Sequence, residues 1–107
     1  MIFKEIRRCK TKGALEVLPA EPVYLPLDMV EAILRNARFE VVNAGTLLVA
    51  SRDDLTRTTI YEDGRLLVMT LDPREAHKSA ARVFEAAAGT PEDSAYEEYL
   101  GAGRVNP

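Results

Sequence analysis

A single cysteine, Cys9, excludes an intrachain disulfide framework and any multi-cysteine zinc or iron–sulfur site. There is no tryptophan, and His77 is the only histidine. No apolar run approaches the ~18 residues that mark a membrane-spanning helix. The N-terminus, Met1 to Lys12, alternates charged with apolar side chains and lacks the apolar stretch of a signal peptide. A lone thiol without an export signal makes a cytoplasmic protein the expectation. Phosphate-cradling glycine loops are missing: neither G-x-x-x-x-G-K-[ST] nor G-x-G-x-x-G occurs, and Gly101-Ala102-Gly103 sits at the tail with no helix after it. No repeat appears at the roughly 20–50-residue periods of solenoids.

What remains is an ordinary globular composition. The 107 residues are 47% hydrophobic and 29% charged, enough for one core and one domain spanning 1–107. The net charge of −3 conceals an asymmetry. Residues 1–13 carry Lys4, Arg7, Arg8, Lys10 and Lys12 against Glu5, a local +4, so the remainder carries −7. A basic arm on an acidic body attracts nucleic acid or an acidic partner. The alternative is that these charges solvate one face of an edge strand and blunt it against aggregation.

The chain punctuates itself clearly. Ile2 to Cys9 reads as a first strand, Thr11-Lys12-Gly13 as a turn, and Ala14 to Leu18 as the returning strand. Pro19, Pro22 and Pro26 mark an extended connector. Asp28 with Glu31 three residues later resembles a capping box, which places a helix over 28–37 with Met29, Val30, Ile33, Leu34 and Ala37 on its apolar stripe. Strands follow over Phe39–Ala44, Thr46–Ser51, Leu55–Glu62 and Arg65–Leu71. Asp63-Gly64 predicts a two-residue type I′ hairpin between the last two. Asp72, Pro73 and Glu75 predict an N-cap, an N1 proline and a second capping box, with Ala76, Ala80, Val83, Phe84 and Ala87 inward and Gly89 as the stop. Thr90 to Gly101 predicts a short third helix that docks through Tyr96, Tyr99 and Leu100.

The two-residue hairpin predicts a register. Ile60 faces Leu67, and Thr58 faces Met69, on a core face joined by Leu71. Tyr61 meets Leu66, and Thr59 meets Val68, on the opposite face, together with Arg57 and Thr70. That second face is apolar at one end and polar at the other, the composition of an exposed binding surface. The fold class is therefore α+β: an antiparallel sheet of about five to six strands, two main helices on one face, and a short C-terminal helix.

Catalytic chemistry finds no constellation. Cys9 has neighbouring cations but no defined partner, and a structural thiol is the plainer reading. His77 sits one position off the apolar stripe of its helix with neither nucleophile nor orienting carboxylate in view. The acidic pairs Asp53/Asp54, Glu92/Asp93 and Glu97/Glu98 read as solvated loop or helix residues, and the Asp53-Asp54 loop lacks the alternating ligands and glycine of a calcium loop. Only Tyr61 beside Arg57 suggests a stacking platform for single-stranded nucleic acid. No catalytic, cofactor or metal residue is assigned.

The order strand-rich N-terminus, helix, four strands, helix is similar to one half of the TATA-binding-protein fold. Within Thr58–Gly89, the residues Ile60, Asp63, Gly64, Arg65, Val68, Asp72, Pro73, Ala76, Ala81 and Arg82 resemble the small C-terminal module of MoeB/ThiF-type adenylyltransferase relatives. That resemblance implies a non-catalytic appendage, because the nucleotide-binding loop and paired cysteines of those enzymes have no counterpart here. The TATA-binding fold implies DNA binding through a basic concave sheet, which a pI near 5.2 disfavours. The expected function is a non-catalytic protein-interaction module. Its site is Arg57, Thr59, Tyr61, Leu66 and Val68, and its partner another protein or a second copy. Alternatives are an accessory subunit in sulfur-carrier or cofactor adenylylation, and weak nucleic-acid binding through the basic arm.

Overall fold

The computed structural model describes residues 3–8, 13–21 and 23–88. Their order is β1 (Phe3–Arg8), β2 (Leu15–Pro19), α1 (Leu27–Asn36), β3 (Glu40–Asn43), β4 (Leu47–Ser51), β5 (Thr58–Tyr61), β6 (Leu66–Val68) and α2 (Pro73–Ala88). The six strands form one antiparallel sheet in the order β1-β2-β6-β5-β4-β3. Helix α1 lies over β3 and β4, α2 over β1, β2 and β6, and the two helices touch. This is the expected α+β arrangement of an open antiparallel sheet with two helices. The third helix read over Thr90–Gly101 lies outside the described residues, as do Cys9 and Gly89.

Alternation decides which side chains meet the helices. Leu15 and Val17, Leu66 and Val68, Thr58 and Ile60, Leu48 and Ala50, and Val41 are all buried. They pack against Leu27, Val30 and Leu34 of α1 and against Ala76, Ala80, Val83 and Phe84 of α2. Small alanines on α2 let it sit close to the sheet, and the ring of Phe84 lies 5.2 Å from that of Phe3 on β1. Ser79, fully buried on α2, accepts the Thr56 backbone N–H at 3.0 Å and donates to Glu75 Oε1 at 3.2 Å. The Thr56 hydroxyl donates to the same oxygen at 2.9 Å. This cluster ties the β4–β5 loop to the first turns of α2.

Three sequence expectations are corrected. First, α1 starts earlier than Asp28: Pro26 is its N-cap, with no side-chain capping bond, and the Val30 N–H donates to the Pro26 carbonyl. Asp28 and Glu31 instead accept from the Asn43 amide at 3.2 and 2.9 Å. Leu27, Val30 and Leu34 form the buried seam, and Met29 faces outward, 61% exposed. Second, Asp72 does cap α2, accepting the Arg74 N–H at 2.9 Å, but Glu75 faces Thr56 and Ser79 rather than closing a box.

Third, the β5–β6 loop has three residues, not two. The Tyr61 N–H donates to the Arg65 carbonyl, and the Gly64 N–H to the Tyr61 carbonyl. Only Gly64 has positive φ, +89°, and Asp63 does not share it. That is a turn closed by a left-handed glycine, with Glu62, Asp63 and Gly64 as the loop. The register becomes Thr58↔Val68, Thr59↔Leu67 and Ile60↔Leu66. A slip of one residue moves a strand's side chains to the other face. Leu66 and Val68 therefore enter the core, and Leu67 and Met69 take the side assigned to them. Leu71, expected in the core, is 53% exposed.

The end of α1 falls where the sequence places it, and its backbone geometry is a further finding. Ala37 is the C-cap, Arg38 has φ +70°, and the Phe39 N–H returns to the Leu34 carbonyl at 3.0 Å. This is a Schellman motif with arginine where glycine is the usual choice. Arg52 buttresses the same corner. It forks onto both Asp54 carboxylate oxygens at 2.6 and 3.0 Å, donates to the Ala37 carbonyl, and stacks 4.6 Å from the Phe39 ring centroid.

Candidate protein-interaction surface

The face of the sheet turned away from the helices is built from the alternate residues of each strand. Its middle row crosses all six strands: Arg7, Glu16, Leu67, Thr59, Val49 and Val42 in register. Toward β3 the row is apolar and ends on Val42, 65% exposed. Two residues beyond Leu67, Met69, whose N–H donates to the Arg57 carbonyl, is 42% exposed. A shallow hollow of about 660 Å³ joins Val49 and Arg57 to Val42 and, around the edge of β3, to Arg35.

Toward β1 the same face is charged and internally satisfied. Glu16 accepts from Arg7 at 2.6 Å and from Arg65 at 3.3 Å. Arg65 also pairs with Asp63 at 2.8 Å and lies 4.6 Å over the Tyr61 ring. Arg57 is exposed and forms no ion pair among the described residues. Of the residues singled out from sequence, Arg57, Thr59 and Tyr61 stand on this face. Leu66 and Val68 do not: both are completely buried under the helices because of the three-residue loop. Leu67, Val49 and Val42 take their place. The missed signal was the alternation of β4, where Leu48 and Ala50 go inward and leave Leu47 and Val49 to the other side.

The two sheet edges differ. At β3 the Val41 carbonyl accepts Arg35 Nη2 at 2.7 Å, and Arg35 is held in turn by Glu31 at 2.8 Å. The Asn43 side chain is bonded to Asp28, Glu31 and the Gly45 N–H. Helix α1 thus occupies one carbonyl of the β3 edge and holds the Asn43 side chain, while Glu40, Val42 and Asn43 stay exposed. The outer edge of β1 has no strand beside it among the described residues.

His77 is half-buried on α2, and burial pushes it below the ordinary histidine value. Among the described residues no three His, Cys, Asp or Glu side chains come together as a metal site. No helix in the described residues is long and apolar enough to cross a membrane. Comparison with protein-family models, with curated proteins and with solved structures finds no match to this chain.

Proposed function

We propose that this chain is a non-catalytic protein-interaction module that uses the open face of its sheet. The observation that carries the reading is the apolar half-row Leu67–Thr59–Val49–Val42, half-buried to exposed, on a face with no described layer over it. Exposed, largely apolar rows flanked by an exposed arginine and a tyrosine have the composition of interface centres. The segment β2–α1–β3–β4–β5–β6–α2, with β2 beside β6, also supports the likeness to half of a TATA-binding fold.

Light scattering on the eluting protein, with and without crosslinker, tests the reading. Leu67→Asp and Val42→Asp place a charge on the face without touching the core. Loss of the oligomer or complex in both folded variants supports the proposal. An association that survives both substitutions overturns it.

A further inference from the structure

The contrast between the two sheet edges goes beyond the open face, and rests on the proposed interaction role only in that it names a second contact of the same module. We infer that β1 is a docking edge for an extended acidic segment of another protein, which would add to the sheet as a seventh strand. Three observations lead there. At the edge of β3 Arg35 occupies the Val41 carbonyl, whereas β1 pairs with β2 alone among the described residues. The strand Phe3–Arg8 carries three basic residues and one acidic, inside the stretch 1–13 with a local charge of +4. Its two terminal cations stand on opposite faces of the sheet: Arg7 is in register with Glu16 on the open face, and Arg8 with the buried Leu15 on the helix side.

That arrangement selects the occupant. A second copy of β1 would bring like charges together along the new ladder, and like charges opposite one another are unfavourable in a sheet. An acidic strand meets a cation above the sheet plane at Arg7 and below it at Arg8. Arg7 is already oriented by its ion pair with Glu16. Main-chain hydrogen bonds would supply the affinity and the two arginines the preference for acid.

The test is the binding of a fluorescein-labelled, alternating Glu-Val peptide, followed by anisotropy, with an alternating Lys-Val peptide as its counterpart. The Glu-Val peptide binds saturably, and its affinity drops as salt rises from about 20 to about 300 mM, where screening shortens the range of the arginine charges. Arg8→Glu weakens it about tenfold or more, and Arg8→Gln by less. Amide exchange slows at Phe3–Arg8 on binding. Val42→Asp, at the opposite end of the sheet, leaves the peptide affinity unchanged, which separates this edge from the open face. Equal binding of the Lys-Val peptide, no binding of either, binding without protection of β1, or a β1-mediated dimer of the free protein would each overturn the inference.

Discussion

Gly64 offers a measurement in which two physical effects separate. A Cβ built at this residue would fall inside contact distance of Val23 Cγ1 and 3.3 Å from Pro19 Cγ, so the connector lies directly on the hairpin loop. The Leu25 N–H, bonded to the Glu62 carbonyl at 2.7 Å, fixes the connector there. Gly64→Ala therefore carries two penalties. A non-glycine residue at φ +89° costs about 1 kcal/mol. Displacing Val23 from a packed position costs about 1–3 kcal/mol more. Gly45 is the internal reference: it has the same φ, +89°, and nothing within 4 Å of its built Cβ. Gly45→Ala should lose only the conformational part, about 1 kcal/mol. Urea unfolding followed by circular dichroism reads the difference, since the chain has no tryptophan to report by fluorescence. Val23→Ala placed in the Gly64→Ala background should return most of the steric part. If Gly64→Ala loses no more than Gly45→Ala, the connector is not seated on the turn and the reasoning fails.

Leu66→Asp should unfold the protein or cost more than about 4 kcal/mol, whereas Leu67→Asp, half-buried on the open face opposite Glu16, should cost only about 1 kcal/mol; equal losses in the urea midpoint would refute the register. Arg38→Gly should stabilise by about 0.5–1 kcal/mol by relieving the left-handed backbone at the end of α1, read as a higher thermal midpoint. Ser79→Ala should cost about 1–2 kcal/mol by leaving the Thr56 N–H without its acceptor, again by urea titration. His77 is held below its ordinary value of 6.5 by burial, so the unfolded chain binds its proton first as pH falls. Its contribution is complete above the unfolded value and is lost as pH drops through and below it. The urea midpoint should decline from about pH 7 to about pH 5.5, and His77→Gln should flatten that slope. Glu31, lowered chiefly by the Asn43 hydrogen bond, and Asp54, lowered chiefly by Arg52, act in a separate window. Their contributions are present above the ordinary carboxylate values and lost at more acidic pH.

Element positions were legible because their signals were local. Asp72-Pro73 marked the start of α2, and the turn residues Thr11-Lys12-Gly13 marked off the strand that follows them. Element details failed wherever the deciding contact lay elsewhere in the chain. Leu66, Leu67, Val68 and Met69 are all apolar, so hydrophobic pattern could not choose the register of β6. The choice fell to the loop, and Asp-Gly serves both a two-residue turn and the end of a three-residue one. Asp28 looked like a cap because the preceding prolines read as a connector. The partner of its carboxylate, Asn43, is fifteen residues away. The left-handed Arg38 left no trace, since arginine is not a residue that announces that conformation. On the candidate surface, Arg57, Thr59 and Tyr61 were found from their own strand, and Leu67 was lost with the register.

The pairing of β2 with β6 has a kinetic meaning. Strands β3 to β6 form a meander whose neighbours follow one another in sequence, and β1 with β2 is a hairpin of its own. Both can form through short loops. The two units join only when Leu15, Glu16 and Val17 find Val68, Leu67 and Leu66, which closes a loop of roughly fifty residues. Forming a meander is fast, and closing a long loop against chain entropy is slow. Substitutions in β2 should therefore slow refolding, while those at the β3 end should mainly quicken unfolding. Until that closure, β6 presents a bare strand of Leu-Leu-Val to its surroundings. The N-terminal hairpin thus acts as the chain's own guard against premature aggregation.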